Sequence, residues 1–290
     1  MNKRQHLILL IILIVNFSTL AQTKDNAEIK KMFEDDQSAR KVQNINWVLL
    51  NKNDSIRAKR VYELIDSGKI VTGKDYYHSA MIFQHGHDTT ASGMAVKLMK
   101  KAIALDSTVN RWLLAAAIDR DLMRKGLPQI YGTQFVKMGQ NAKFERYKID
   151  STQITDEQRK YYHVETIAEQ KIKEHKMNLT SIMQFYSQEK SLENTLELIA
   201  AEKNKGNTSL YDVSEGAINS FAYNFIKTPQ DALKIFKLNT ELYPKGFNTF
   251  DSYGECLLLL NKKEEAKIAY KKSLELNPKN NNASQKLKQL

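Results

Sequence analysis

The sequence contains a single cysteine, so no disulfide can form within the chain. Cys256 lies in the apolar run ECLLLL, where we expect a helix, and this position is typical of a buried, unreactive thiol. The fold must therefore be stabilised by side-chain packing. A chain of 290 residues is long enough for one or two domains with a sizeable core.

No stretch of the sequence concentrates positive charge, although the formal net charge is +11. Lysine and arginine are interspersed with acidic residues, as in KIKEHK and NKKEEAK, which is typical of solvated helix faces. Nucleic-acid binding needs a basic patch with interleaved aromatic residues, so the charge pattern argues against that partner. A nucleophile elbow, a phosphate-binding loop and a Cys and His pairing are also absent. No familiar signature therefore marks the chain as an enzyme, and we expect no cofactor.

Apolar runs of membrane length are absent after the N-terminus. Residues 1–21 have the layout of a secretory signal peptide: Lys3 and Arg4 precede an apolar run over residues 7–15, and small residues lead to a cleavage position at Ala21. An uncleaved anchor is the alternative, but the run is shorter than the ~20 residues that a spanning helix needs. We therefore predict a periplasmic or secreted protein with no membrane span after cleavage.

The C-terminal end contains a self-similar segment with a period of 34 residues. A small residue, an aromatic residue, a leucine and a proline recur in phase, as Ala232, Phe236, Leu242 and Pro244 and again as Ala266, Tyr270, Leu276 and Pro278. A small side chain lets paired helices approach closely, an aromatic ring fills the gap, and proline ends the helix. Gly254 adds a close-contact position on the helix before the second copy. These features resemble the tetratricopeptide repeat.

The resemblance implies a helical array over residues 186–290, with repeats at 213–246 and 247–280 and a polar capping helix over 279–290. A helix over 190–204 is predicted to lead into it. Such repeats imply a protein or peptide partner, or intramolecular packing on the N-terminal domain. The role that the sequence supports best is therefore an interaction module.

Three polar residues lie on one stripe of the helix that begins the second repeat. They are Asn248, Asp251 and Glu255, and in the repeat family this stripe would face the concave groove. Alternatively, Asn248 and Asp251 form the cap of that helix by accepting hydrogen bonds from its free amides.

Residues 22–185 are predicted to form a mainly α-helical domain with a small β-hairpin. Hydrophobic periodicity indicates helices over 26–43, 54–66, 75–84, 91–104, 109–125 and 156–180. Thr155 and Gln158 form a capping box for the last of these. Two extended runs flank Gly139, which indicates the hairpin.

The stretch GLPQIYGTQ, residues 126–134, ends one of these helices and is rich in hydrogen-bonding side chains. The preceding helix places Asp119 on a stripe with apolar residues, so its carboxylate must be paired or neutral. The side chains of Gln129, Tyr131, Thr133 and Gln134 could satisfy that carboxylate and the open carbonyls of the helix end. One interpretation is that the cluster locks the loop onto a buried charge. The other is that it lines a pocket.

Two further stretches hold polar residues at helix positions. IFQHGHD brings His85 and His87 near a helix end, where they could share a metal with His78, but the spacing requires no full ligand set, so no metal site is predicted. DDQSAR places Asp36 and Arg40 one helical turn apart, where both could belong to a binding site. The alternative is an exposed ion pair, which stabilises a helix by only ~0.3 to 0.5 kcal/mol.

Taken in order, DDQSAR, FQHGHD and AIDRDLMRKGLPQIYGTQF resemble an uncharacterised bacterial family, domain-of-unknown-function family 6624. The resemblance covers about residues 28–180. It implies a shared cluster of Asp36, Gln37, Arg40, Gln84, His85, Asp119, Arg120, Gln129, Tyr131, Gly132, Thr133 and Gln134. His87 departs from the family pattern, which puts a metal role for it in doubt. The family has no assigned activity, so the resemblance implies a location and no reaction.

The alternative to an interaction module is an enzyme, for instance a hydrolase, whose site is built from the same polar stretches. In that case His85 would be the general base, because its ordinary pKa lies nearest to working pH, and Asp119 would orient it. Arg120 would hold an anionic group of the substrate. Tyr131 or Gln134, with Gln129 nearby, would stabilise developing charge.

Overall fold

The computed structural model describes residues 24–290, so the predicted signal peptide at 1–21 lies outside the described residues. The protein is 66% helical with fourteen α-helices in this range, which confirms the prediction of a mainly α fold. Between residues 24 and 290, no helix combines the length and the apolar character that crossing a bilayer requires.

The chain divides into two compact units. Unit 1 comprises the residues up to Thr133 together with Lys148–Val164, and unit 2 comprises Gln134–Tyr147 and Glu165–Leu290. The sequence predicted a boundary at residue 185. The contacts instead group the predicted hairpin, and residues 165–185, with the C-terminal helices.

Within the described residues, unit 1 is a set of six helices, and all of them except α5 begin at a side-chain cap. They are α1 (Ala27–Ala39), α2 (Trp47–Asp66), α3 (Gly73–Gln84), α4 (Thr89–Leu105), α5 (Trp112–Arg124) and α6 (Asp156–Tyr161). Helix α2 begins seven residues before the predicted start at 54, because the side chain of Asn46 accepts a hydrogen bond from the amide of Leu49 and caps it there. Asp88 caps α4 in the same way, so that helix also begins earlier than predicted.

The core of unit 1 lies where α3 and α4 pack on each other and on α1, α2 and α5. Its fully buried side chains include Leu64, Phe83 and Met99. A smaller cluster of Ala115, Tyr131 and Val164 lies beside it. This second cluster fixes the segment after α5 against the helix from which it emerges.

Unit 2 contains the remaining elements. They are β1 (Phe135–Lys137), β2 (Phe144–Arg146), α7 (Ile167–Met177), β3 (Thr180–Ser181), α8 (Ile182–Glu189), α9 (Leu192–Asn204), β4 (Tyr211–Asp212), α10 (Glu215–Tyr223), α11 (Pro229–Leu242), α12 (Phe247–Leu259), α13 (Lys263–Leu276) and α14 (Asn281–Gln289). Strands β1 and β2 pair antiparallel, which confirms the predicted hairpin, and Gly139 turns between them at φ +118°. Strands β3 and β4 form a short parallel pair that was not predicted.

The single helix predicted over residues 156–180 is wrong. The chain leaves α6 after Tyr161, His163 adopts a positive φ of 56°, and α7 begins at a second capping box formed by Thr166 and Glu169. A capping box satisfies the first amides of a new helix, so periodicity that continues across it does not imply a continuous helix. The predicted box of Thr155 and Gln158 is present at the start of α6.

Helices α10 to α14 follow one another as successively packed antiparallel neighbours. The repeated alanines Ala232 and Ala266 are fully buried, and a Cβ added to Gly254 would come within 3.1 Å of the Tyr270 ring. The small and aromatic positions therefore set the close approach of the helices, as the repeat pattern predicts. Cys256 is fully buried in this array, as expected, and burial raises the pKa of its thiol to about 11.

Candidate functional site

Asp119 on α5 is fully buried and is held by the backbone of the loop that follows. One carboxylate oxygen accepts hydrogen bonds from the amides of Ile130 and Tyr131, and the other accepts from the amides of Gly132 and Thr133, all at 2.9 Å. The hydroxyl of Thr133 adds a fifth bond at 2.8 Å. Successive backbone amides of this kind form a concave anion site, and here the anion is the protein's own carboxylate.

Gly132 allows this arrangement, because its φ of +94° is one that residues with a Cβ rarely adopt. On the opposite side of the same backbone, the fully buried guanidinium of Arg159 donates to the carbonyls of Ile130 and Tyr131 at 2.9 and 3.1 Å. We call Asp119, residues 130–133 and Arg159 the loop clamp. Arg159 was not predicted, and no sequence signal marks it.

The loop clamp supports the interpretation that the polar stretch locks a loop onto a buried charge. Backbone amides supply four of the five hydrogen bonds to Asp119, and the hydroxyl of Thr133, one of the four side chains predicted to satisfy this carboxylate, supplies the fifth. Tyr131 packs edge-on against Tyr162, and burial is the main cause that raises its pKa. Gln129 and Gln134 are buried, and Gln134 is grouped with unit 2.

A second cluster surrounds Asp36 on α1, which is fully buried. Arg40 donates to it at 2.6 Å and also to Asp54 on α2 at 2.6 Å. Arg57 lies 3.2 Å from Asp36 and bonds Asp54 at 2.5 Å. The exposed ion pair that was the alternative for Asp36 and Arg40 is therefore wrong. We call Asp36, Arg40, Asp54, Arg57 and His85 the Asp36 cluster.

His85 joins this cluster through its ring nitrogen Nδ1, which lies 2.9 Å from Asp36 Oδ2. Gln37 donates to the same oxygen at 3.0 Å. Burial opposes the charge of Asp36, but the contact with His85 and the charges of Arg40 and Arg57 outweigh it and hold the pKa of Asp36 below its ordinary value.

The residue that orients His85 is therefore Asp36. The prediction that Asp119 would orient it is wrong, because both oxygens of Asp119 are occupied by the loop. The ring nitrogen of His85 that faces Asp36 is Nδ1, so Nε2 lies on the far side of the ring. Three polar stretches were predicted to converge on one carboxylate, whereas the structure distributes them between Asp36 and Asp119.

Arg120 lies next to the Asp36 cluster through its contact with Gln84. Its guanidinium donates to the backbone carbonyl and to the side-chain oxygen of Gln84, at 3.2 and 2.9 Å. Burial, and then the like charge of Arg124 one turn along α5, lower the pKa of Arg120. The sequence predicted Arg120 as an anion holder and did not single out Arg124.

His78 and His87, which were considered as metal ligands together with His85, contact other side chains. His78 stacks on Phe33 with ring centroids 4.7 Å apart, and burial lowers its pKa. His87 contacts Asn51 at 3.1 Å. Within the described range, no group of three or more His, Cys, Asp or Glu side chains is arranged to hold a metal ion.

In unit 2, the polar residues of α12 connect three helices. Asp251 accepts a hydrogen bond at 2.8 Å from Asn282 on α14, and Glu255 accepts one at 2.7 Å from the hydroxyl of Tyr223 on α10. Burial raises the pKa of Tyr223 to about 12, and Glu255 adds to the effect. We call the surface formed by α10, α12 and α14 the groove face.

Two buried polar atoms around α12 have no hydrogen-bond partner among the described residues, namely Asp251 Oδ1 on the groove face and the hydroxyl of Tyr270 on the neighbouring helix α13. The alternative that Asn248 and Asp251 cap α12 is wrong, because the helix begins after Gly246 with no side-chain cap. Asn248 lies within the first turn of α12 and is partly exposed.

A second concave surface in unit 2 was missed by the sequence. It is an open cavity of about 520 Å³ whose lining includes His175, Lys203, Ser209 and Tyr243. The ammonium of Lys203 lies 3.6 Å from the centre of the Tyr243 ring, and His175 contacts the Ser209 carbonyl at 2.7 Å. These residues come from separate helices and loops, so no local sequence pattern marks the cavity.

Comparison with family models finds one match, which covers a short segment of the chain. A tetratricopeptide repeat matches residues 249–280, which span most of α12 and α13. No curated protein matches the chain significantly. The family match confirms the repeat predicted from the 34-residue period. It does not extend to unit 1, where the resemblance to family 6624 stays a prediction.

Two solved structures are similar to the chain. YrrB, described as a tetratricopeptide repeat protein with an unusual peptide-binding site, is 15% identical over 80% of this chain and 100% of that chain, with a TM-score of 0.28. Yeast Tom70 is 17% identical over 93% of this chain and 58% of that chain, with a TM-score of 0.32.

Proposed function

We propose that this protein is an interaction module whose groove face binds a peptide or an extended segment of another protein. The tetratricopeptide repeat at residues 249–280 supports this role, because such repeats bury a continuous core and leave one face of the array for a partner. The repeat alone does not identify the ligand, so the proposal depends on the chemistry of the groove face.

The observation that carries the proposal is the pair of buried oxygens around α12 that have no hydrogen-bond partner in the described chain. Asp251 Oδ1 and the Tyr270 hydroxyl are buried without partners, and Glu255 adds negative charge beside them. A buried polar atom without a partner costs free energy, which a donor supplied by a ligand recovers. The groove face therefore suits a ligand with N–H donors, such as a peptide backbone that carries lysine or arginine.

The test is selection of a displayed random peptide library on the full chain, followed by titration of the enriched peptides. The variant Asp251→Asn with Glu255→Gln removes both carboxylates from the groove face and should weaken binding at least about tenfold. A matched control, Glu264→Gln with Glu265→Gln, removes two exposed carboxylates from α13. The proposal is wrong if no peptide is enriched, or if the control weakens binding as much.

Export to the periplasm or the outside of the cell is the second part of the proposal. It rests on the charged, apolar and small-residue order of residues 1–21. Expression of the full chain and mass measurement of the product should reveal a mature N-terminus after Ala21. Recovery of the intact chain from the cytosol would contradict it.

A hydrolytic enzyme is a second candidate function, and one observation favours it. His85 Nδ1 lies 2.9 Å from the carboxylate of the buried Asp36, so Nε2 is the ring nitrogen that faces away from that carboxylate. A carboxylate that holds a histidine in this way leaves the other nitrogen able to take a proton.

The assay uses panels of chromogenic carboxylate and phosphate esters. Turnover should be lost in His85→Ala and kept in His87→Ala, which removes a neighbouring histidine that lacks a carboxylate partner. Melting of both variants separates a catalytic from a structural role. Equal turnover in the two variants, or none in the wild type, would exclude this candidate.

A further inference from the structure

Unit 1 contains two arginines that the protein itself does not neutralise. Arg120 and Arg124 stand one turn apart on α5, both half-buried. Neither guanidinium forms an ion pair with a carboxylate in residues 24–290, whereas Arg40 and Arg57 in the same unit each contact two carboxylates. Burial of an unpaired charge is unfavourable, so this pair needs a separate explanation.

The nearest acidic groups are engaged elsewhere. Asp121 accepts hydrogen bonds from Ser92 at 2.7 Å and from Lys125 at 2.5 Å. Asp88 caps α4 by accepting from the amide of Ala91 at 2.7 Å. Both attract Arg124 at longer range, but burial outweighs them, and the pKa of Arg124 lies below its ordinary value.

The donors around the pair are also unsatisfied. Gln84 is only 6% exposed, and its side-chain oxygen accepts from Arg120 at 2.9 Å. Its amide nitrogen, on the same planar group, is buried and has no partner. One terminal nitrogen of Arg124, Nη1, is also buried and unpartnered. Gln84 and Arg124 thus each keep a buried N–H group without an acceptor in residues 24–290, next to the guanidinium of Arg120.

We propose that Gln84, Arg120 and Arg124 form a binding site for the oxyanion group of a ligand, either a carboxylate or a phosphate. Two guanidinium groups supply the charge and several donors, and the amide of Gln84 supplies a neutral donor that fixes the position of one oxygen. The loop clamp in the same unit illustrates the same principle with an internal carboxylate. The site lies in unit 1 and makes no use of the repeats, so it goes beyond the proposed function.

The first experiment follows the melting of unit 1 by tryptophan fluorescence. Both tryptophans of the sequence, Trp47 and Trp112, belong to this unit. Sodium phosphate and, separately, sodium acetate are titrated against sodium chloride at constant ionic strength. A ligand that binds only the folded state raises the melting temperature in proportion to the logarithm of its concentration.

We expect phosphate or acetate to raise the melting temperature above that in chloride, and the more effective anion identifies the ligand group. Arg120→Gln and Arg124→Gln should each weaken this binding by about tenfold or more, because a charge-assisted hydrogen bond is lost. Arg60→Gln is the matched control, since it removes the same charge from an exposed position of unit 1. It should change the affinity less than about twofold.

A second variant keeps the proposal testable if the arginine variants fold poorly. Gln84→Glu retains the shape of the side chain and places a carboxylate oxygen where the free amide nitrogen lies. It should raise the melting temperature in chloride, because the arginines gain a counter-ion, and should abolish the response to the anion. A response to neither anion in the wild type, an equal loss in Arg60→Gln, or an unchanged response in Gln84→Glu would each overturn the proposal.

Discussion

Replacement of Asp119 by asparagine tests how far the loop clamp stabilises unit 1. The carboxylate accepts five hydrogen bonds, two at one oxygen and three at the other. Asparagine has nearly the same shape, but its NH₂ group must occupy one of the two positions. At least two donors that now point at an oxygen would then face another donor.

The expected cost follows from those two donors. Leaving a buried donor unsatisfied costs about 1 to 3 kcal/mol, so the substitution should lower the free energy of unfolding by about 2 to 6 kcal/mol. Small domains are stable by only about 5 to 15 kcal/mol in total. The variant should therefore lose a large fraction of the stability of the unit.

Urea unfolding followed by tryptophan fluorescence measures this change in unit 1. Trp112 borders the cluster that contains Tyr131, so its emission reports on the segment that the carboxylate holds. Asp35→Asn is the matched control in the same unit, because Asp35 is exposed, pairs only with the exposed Lys31 and should cost no more than about 1 kcal/mol. If both variants shift the unfolding free energy equally, the loop clamp does not have the role assigned to it.

Three further predictions concern other sites. Asp36→Asn should destabilise unit 1 by about 3 to 5 kcal/mol at neutral pH, because it leaves buried guanidinium groups without their partner. Because the pKa of Asp36 is lower in the folded state, its carboxylate stabilises the fold fully above the ordinary pKa of about 4, and this stabilisation is lost as the pH falls through the folded-state pKa. The urea midpoints of the wild type and the variant should therefore converge in acid. A difference that stays constant with pH would contradict this prediction. Gly254→Ala should lower the stability of the fold by about 1 to 3 kcal/mol, because the new methyl group presses on the Tyr270 ring. Gly216→Ala has open space around it and should raise the stability by about 0.5 to 1 kcal/mol. Thermal melts followed by circular dichroism measure both changes, and effects of the same sign would refute the packing argument. The Cys256 thiol, with its pKa near 11, should resist iodoacetamide at neutral pH in the folded chain and react in urea; rapid labelling of the folded chain would show that it is not buried.

Periodic packing explains what could be predicted from the sequence. The phase of Ala232 and Ala266 predicts the antiparallel helix pairs, because each small residue has to lie at a helix contact. The apolar stripe on α5 likewise predicts that Asp119 is buried. Both inferences depend only on regular helical geometry, which the sequence determines locally.

The partners of the polar residues could not be predicted in the same way. Asp36 meets Arg57 and His85 through the packing of three helices, and the spacing within any one helix does not reveal these contacts. Arg159 meets Ile130 across 29 residues of sequence. Gly132 adopts a positive φ that directs backbone amides toward Asp119. Because every residue type except proline has such an amide, the pattern of side chains in the sequence does not predict these hydrogen bonds.

The loop clamp also determines how residues 130–133 can move. Their amides point to a negative charge and two of their carbonyls to a positive one, so a local opening would break both sets of bonds together. Isotope exchange of these amide protons should therefore require cooperative unfolding of unit 1. A segment without regular secondary structure would then be as slow to exchange as the centre of a helix.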